Sequence, residues 1–146
     1  FLTPQFGPRQ RFAIMLTDAE LEPDPILDTG DICLHCGACR RVCPAEETCL
    51  SAVTQKKGEL TEAEEALLLK SGTAWGCDLC QTVCPFNKGA AETPIAFFRE
   101  ERIWHLSSDD INGMDADAFA SRAYSWRKRE TILRNLSILE EKKGWN

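Results

Sequence analysis

Eight cysteines fall between Cys33 and Cys84, and their spacing is the feature of this sequence most able to do chemistry. The first group reads Cys33-x-x-Cys36-x-x-Cys39-x-x-x-Cys43-Pro44 and the second Cys77-x-x-Cys80-x-x-x-Cys84-Pro85, with Cys49 alone between them. Three cysteines at intervals of three can wrap one loop around an iron–sulfur cube, each thiolate reaching a different iron. The fourth, followed by proline, is expected to start a helix and point away. Where one chain holds two [4Fe–4S] clusters with this spacing, that fourth cysteine ligates the other cluster. The ligand count then closes. Cys33, Cys36, Cys39 and the crossing Cys84 would hold cluster A. Cys77, Cys80, the crossing Cys43 and, by elimination, Cys49 would hold cluster B.

Two other uses of eight thiols compete with this one. Four disulfides would suit a secreted domain. Cysteines two residues apart pair poorly, however, and no charged segment leads into an apolar leader at the start of the sequence. A reducing cytoplasm with bound metal fits better, so a cytoplasmic location is expected. Two Cys₄ zinc sites would also use eight thiolates. Zinc pairs usually come as separated Cys-x-x-Cys knuckles, and the only imidazoles, His35 and His105, are not needed as ligands. His35 is expected to be a solvent-facing loop residue. Gly37 would let the loop backbone approach the inorganic sulfides closely. Arg40 and Arg41 have two readings of equal weight, as cations facing the anionic clusters or a docking partner, and as solvated arginines at a helix start.

The totals are compatible with one domain of ordinary globular type. The chain has 146 residues, 43% hydrophobic and 27% charged, with a formal net charge of −6. That acidity argues against a chain devoted to nucleic acid, and no apolar run approaches the roughly 18–20 residues of a membrane span. The sequence opens on Phe1, not Met, so a longer parent protein is expected, with chemistry that these residues do not carry.

The elements that must position the thiols read as an α+β, mostly helical chain in three parts. Residues 1–30 form a strand and loop segment, with a hairpin between 1–3 and 12–17 around Pro4, Gly7 and Pro8. Residues 31–92 form a ferredoxin-like double-cluster domain, and 93–146 a helical C-terminal segment. Thr61-Glu62-Ala63-Glu64 is a capping-box pattern opening a helix that Gly72 can close. Thr93 and Pro94 are expected to open a second helix carrying Phe97, Phe98 and Trp104. A short helix is expected from Asp115 through Phe119. A longer one is expected over 129–142, with Ile132, Leu133, Leu136 and Leu139 on one face. The four tryptophans, Trp75, Trp104, Trp126 and Trp145, are expected to serve packing, and Trp75 to shield cluster B from water.

Three stretches resemble the epoxyqueuosine reductase family, which is related to the reductive dehalogenases. They are Cys33–Pro44, the run Trp75-Gly76-Cys77-Asp78-Leu79-Cys80-Gln81-Thr82-Val83-Cys84-Pro85-Phe86-Asn87, and Thr17-Asp18-Ala19-Glu20-Leu21. The second run matches every fixed position of that family's aromatic-Gly-Cys-Asp-x-Cys-Gln-x-x-Cys-Pro-aromatic-Asn signature. Cys49-Leu50-Ser51 is similar to the family's step between the two groups, which supports Cys49 as a ligand of cluster B. Arg134-Asn135 is similar to an Arg-Asn of its helical-repeat region. The interval from Cys43 to Cys49 is shorter than in usual members, so the loop around cluster B must differ.

The resemblance implies two [4Fe–4S] clusters that relay electrons in a cobalamin-dependent oxidoreductase of tRNA queuosine biosynthesis. Its cobalamin and substrate domain lies outside these residues. Cobalamin would therefore not be bound by this chain alone, and no catalytic residue can be assigned to it. The implied partners are a donor of ferredoxin or flavodoxin type and the cobalamin-binding domain, the latter facing Phe6, Arg9, Arg11 and Phe12. A plain packing role for those four is equally compatible with the sequence. Between 121 and 135, Arg122, Arg127, Lys128, Arg129 and Arg134 stand against Glu130 alone. That run is either a tRNA-backbone contact or, as is more usual, a solvated helix face. Different readings of the whole chain are a stand-alone dicluster electron carrier, a reductive-dehalogenase-like segment, and a zinc-binding interaction module.

Overall fold

Helix starts in this chain are written by its polar residues. The computed structural model describes residues 1–26 and 30–143, and it has helices where the sequence supplies a cap and an apolar face to bury. Thr61 accepts a hydrogen bond from the Glu64 amide, and the Glu64 carboxylate accepts one from the Thr61 amide. The reciprocal pair opens a helix over Glu62–Ser71, and Gly72 closes it in the left-handed region at φ 65°. Leu68 is its fully buried residue. Ser107 and Asp110 repeat the device at Ser108–Gly113. The Asp115 carboxylate caps Ala116–Ala120, accepting from the Ala118 amide at 2.8 Å. The longest helix, Arg129–Lys143, buries Ile132, Leu136 and Leu139 at 0–3% exposure. Each of these side chains contributes about 1.5–3 kcal/mol by leaving water.

In chain order the helices are α1 (Ala38–Val42), α2 (Leu50–Gln55), α3 (Glu62–Ser71), α4 (Leu79–Thr82), α5 (Ser108–Gly113), α6 (Ala116–Ala120) and α7 (Arg129–Lys143). Single 3-10 turns lie at Pro85–Asn87 and Ala96–Phe98. The chain divides into two units. The first comprises Phe1–Val42 and Leu79–Pro94, in which α1 packs on α4. The second comprises Cys43–Asp78 and Ile95–Asn146, where α2, α3 and α5 pack on α7. Its core joins Ile111, Tyr124, Ile132 and Leu136, with Trp75, Leu106, Met114, Phe119 and Leu133 partly buried against them. Among the described residues no helix is long and apolar enough to cross a membrane.

The expected strand pair at the start of the chain does not form, and the described residues contain no strand. Thr3 and Gly7 pair with each other across a tight turn, with N–O distances of 3.3 and 2.9 Å. The Gln10 amide then donates to the Gly7 carbonyl and the Thr3 hydroxyl. The Thr3 amide and carbonyl, which a strand partner at 12–17 would have used, are thus taken by Gly7. Ile14 and Leu16 are over 90% exposed, so alternation there has no surface to bury.

The helix expected after Thr93 is likewise reduced to the Ala96–Phe98 turn. Glu101 takes φ 47°, a left-handed conformation that stops the ladder. Phe97 and Phe98 meet edge to face and are largely exposed, giving a helix little packing to draw on. The expectation that Cys43-Pro44 starts a helix is also reversed. It follows the last residue of α1, whose hydrogen-bond ladder the proline cannot extend.

Candidate metal centre

In the first unit, Cys33, Cys36, Cys39 and Cys84 line one open cavity of about 420 Å³. These are the four thiols assigned from their spacing to cluster A. Leu2, Leu34 and Phe86 line the same cavity with apolar surface, and Arg40 lines it with charge.

Local backbone chemistry explains how the loop curls round this space. The Asp31 carboxylate accepts from the Cys33 amide at 2.9 Å and contacts His35 Nε2 at 2.6 Å. The contact with His35, and next the Cys33 amide, hold the Asp31 carboxyl below its usual range. His35 and Gly37 both take positive φ, 48° and 71°, which turns the chain back on itself between the second and third cysteines. The Gly37 carbonyl accepts from the Arg40 and Arg41 amides to start α1. Arg41 Nη1 closes the loop from outside by donating to the Cys36 carbonyl at 2.9 Å. A side chain at Gly37 would meet that guanidinium at 3.1 Å. Of the two readings of the arginine pair, Arg41 thus has a third role, as a brace of the loop. The His35 side chain is 74% exposed, as a solvent-facing loop residue should be.

Cys84 arrives from the other side. α4 ends at Thr82, the Cys84 amide donates to the Gln81 carbonyl, and the 3-10 turn opens at Pro85, whose fixed φ suits a first helical position.

The remaining thiols have distinct local settings. Cys49 is the N-cap of α2, its carbonyl accepting from the Ala52 and Val53 amides. Cys43 is exposed directly after α1, and Cys77 is half-buried directly after Gly76, which takes φ 66°. These three belong to the second unit, and Cys80 lies in α4 of the first. All eight are free thiols. Among the described residues no three His, Cys, Asp or Glu side chains are arranged to hold a single metal ion. The four cysteines of the first unit instead line a space many times the volume of one water molecule, about 30 Å³. Thiolates are the donors that iron–sulfur clusters take, so the donor set and the cavity fit such a group.

The surroundings amend other expectations. Trp75 packs edge-on to Tyr124 and Trp126, at 6.1 and 6.2 Å between ring centres, as part of the second unit's core. Trp104 and Trp126 are largely exposed, each beneath an arginine, Arg102 and Arg127 respectively. Trp145 lies outside the described residues. Phe6 and Phe12 are exposed, Phe12 edge-on to Phe1 at 4.3 Å. The basic run is not a uniform solvated face. Arg129 donates to the carbonyls of Ile111, Met114 and Asp115, and Arg134 to those of Lys56 and Gly58.

Sequence reasoning passed over Asp31 and gave Leu2 no place at the site. The pattern Asp31-x-Cys33-x-His35 was a visible signal for the first.

Residues 32–88 match the family model for a 4Fe-4S dicluster domain, a span that contains all eight cysteines. The chain is 31% identical to an epoxyqueuosine reductase of Listeria monocytogenes over 94% of its own length and 39% of the relative's. It is 35% identical to an epoxyqueuosine reductase of Bacillus subtilis, over 60% of this chain and 24% of that one. The solved structure of epoxyqueuosine reductase from Streptococcus thermophilus superposes with a TM-score of 0.55 at 25% identity, covering 84% of this chain and 35% of that one. The chain therefore spans about two fifths or less of each of these three proteins.

Proposed function

We propose that the chain, a relative of the epoxyqueuosine reductases, is the iron–sulfur part of such a reductase and holds two [4Fe–4S] clusters as an electron relay. Cys33, Cys36, Cys39 and Cys84 would bind one cluster, and Cys43, Cys49, Cys77 and Cys80 the other. When bound, such clusters accept and return single electrons at potentials set by their surroundings.

The residues around the first site have definable tasks. The four thiolates supply ligation from two segments far apart in sequence, so loop 33–39 and the Cys84 turn are tied together when the site fills. Leu2, Leu34 and Phe86 keep water from part of its surface. Arg40 places a positive charge on the cavity wall, opposing the negative charge that four thiolates bring. Arg41 holds the Cys36 carbonyl and hence the turn between two ligands.

The observation that supports this reading is that Cys33, Cys36, Cys39 and Cys84 line one cavity, the four cysteines that ferredoxin spacing would group together. In the larger reaction an external donor of ferredoxin or flavodoxin type would supply electrons. A cobalamin-bearing domain outside these residues would receive them, with epoxyqueuosine in tRNA as the substrate. A stand-alone dicluster carrier would use the same thiols. The reductase reading is favoured by the helical core around Ile111, Ile132 and Leu136, which lies beyond residues 32–88 and which a minimal carrier does not need.

A potentiometric titration of the anaerobically reconstituted chain tests the relay. Two one-electron couples with separate spectroscopic signals are expected. Uptake of only one electron per chain would limit the chain to one cluster, and none would remove the relay altogether.

A further inference from the structure

Asn135 is the most completely engaged buried polar side chain of the second unit, and what it holds are the two segments that carry Cys49 and Cys77. It is 0% exposed on the inner face of α7. Its Nδ2 donates both hydrogens, one to the Thr54 carbonyl at 2.7 Å and one to the Ala74 carbonyl at 2.8 Å. Its Oδ1 accepts from Arg134 Nε at 3.1 Å and Nη2 at 2.7 Å. The amide orientation follows from these partners, since carbonyls require the N–H side and a guanidinium the oxygen.

Both segments lead directly to thiols. Thr54 belongs to α2, the helix that Cys49 caps. Ala74 lies three residues before Cys77. A second bond ties the segments to each other: the Gly76 amide, immediately before Cys77, donates to Thr54 Oγ1 at 3.0 Å. Thr54 is itself 0% exposed, and its hydroxyl donates on to the Ser51 carbonyl at 3.1 Å. Arg134 extends the clamp beyond the end of α2 through the Lys56 carbonyl at 2.8 Å and the Gly58 carbonyl.

We propose that Asn135 and Thr54 are positioning residues for cluster B, fixing the separation of Cys49 from Cys77 through the Gly76 and Ala74 backbone. This rests on the cluster reading above. A core asparagine that only stabilised the fold would be replaceable without changing one cluster and not the other. A ligand-spacing device is different, because a thiolate displaced by even part of an ångström alters the cluster it binds. The cavity ringed by Cys33, Cys36, Cys39 and Cys84 lies in the other unit and shares none of these bonds.

The test compares four anaerobically reconstituted chains: unaltered, Asn135→Ala, Thr54→Val and Thr54→Ser. Iron content, electron paramagnetic resonance of the reduced state, and both midpoint potentials are read beside the helical circular dichroism. In the first two variants, one cluster should be lost or changed in signal and potential while the other is unchanged. Loss would take iron from about eight toward about four per chain. Thr54→Ser, which keeps the hydroxyl, should restore the changed signal. Folded Asn135→Ala and Thr54→Val chains with both clusters unaltered would overturn the proposal, as would equal change in both clusters. Failure of both variants to fold would mark the network as general core support and overturn it too. An unaltered chain that binds no iron would instead sink the cluster reading itself.

Discussion

A methyl group at Gly7 would stand 2.5 Å from the Phe86 carbonyl oxygen, closer than real side chains approach backbone. The Thr3–Gly7 turn is therefore seated against the turn that follows Cys84-Pro85. It makes the start of the chain part of the wall that holds a candidate ligand. Gly7 also takes φ 64°, a region costly for other residues.

Gly7→Ala should consequently destabilise more than the same change at Gly89. Both have positive φ, which costs about 1–2 kcal/mol for a side chain, but nothing lies within 4 Å of a Cβ at Gly89. Forcing a methyl into the Phe86 backbone adds about 1–3 kcal/mol. Chemical unfolding of the two variants measures the gap. Equal midpoints would mean that the turn is not seated there.

Arg129→Lys should cost about 2–3 kcal/mol, because its guanidinium serves three carbonyls and lies 4.5 Å from the centre of the Phe119 ring. An ammonium replaces at most part of that set, and hydrogen bonds from charged groups contribute about 1.5–3 kcal/mol each. Arg127→Lys loses only a contact with the exposed Trp126, about 0.5–1 kcal/mol. Thermal unfolding of the pair would reveal whether the basic run divides as the structure has it.

Glu64 links acid stability to the start of α3. The Lys56 ammonium, at 2.7 Å, and then the Thr61 amide hold its carboxyl below the usual glutamate range. A depressed folded-state value means that the contribution is present in full above the ordinary pKa. It is then lost as pH falls from about 4.3 through the lower folded value. Lys56→Met should flatten that part of the stability–pH curve while leaving the Thr61 cap in place. An unchanged slope below pH ~4 would remove Lys56 as the main cause.

The ligand partition makes a paired prediction. Cys84→Ser should impair the cluster shared with Cys33, Cys36 and Cys39, whereas Cys49→Ala should impair the other. Each variant should retain about four irons and lose a different spectroscopic signal. The same signal lost in both would show that the assignment of crossing ligands is wrong.

What could be read in advance follows from range. That Cys33, Cys36, Cys39 and Cys84 would share one cavity was legible because three of them lie within seven residues and the fourth precedes a proline, as Cys43 does. The ends of α3 and the start of α6 were legible because caps are local: Thr61 with Glu64, Gly72, and Asp115. α5 was missed although Ser107 and Asp110 carry the same capping signal. The hairpin was overread because alternation at 12–17 says nothing about whether a surface exists to cover it, and Gly7 engages the Thr3 amide and carbonyl locally. The bonds from Asn135 were beyond reach. They cross 81 and 61 residues, and no local pattern distinguishes an asparagine that clamps two backbones from one facing solvent.

Metal content decides the central claim. The chain, purified and reconstituted without oxygen, should carry about eight irons and as much acid-labile sulfide, as two cubanes require, and should be brown. Material that holds zinc, is colourless and contains no iron would contradict the account.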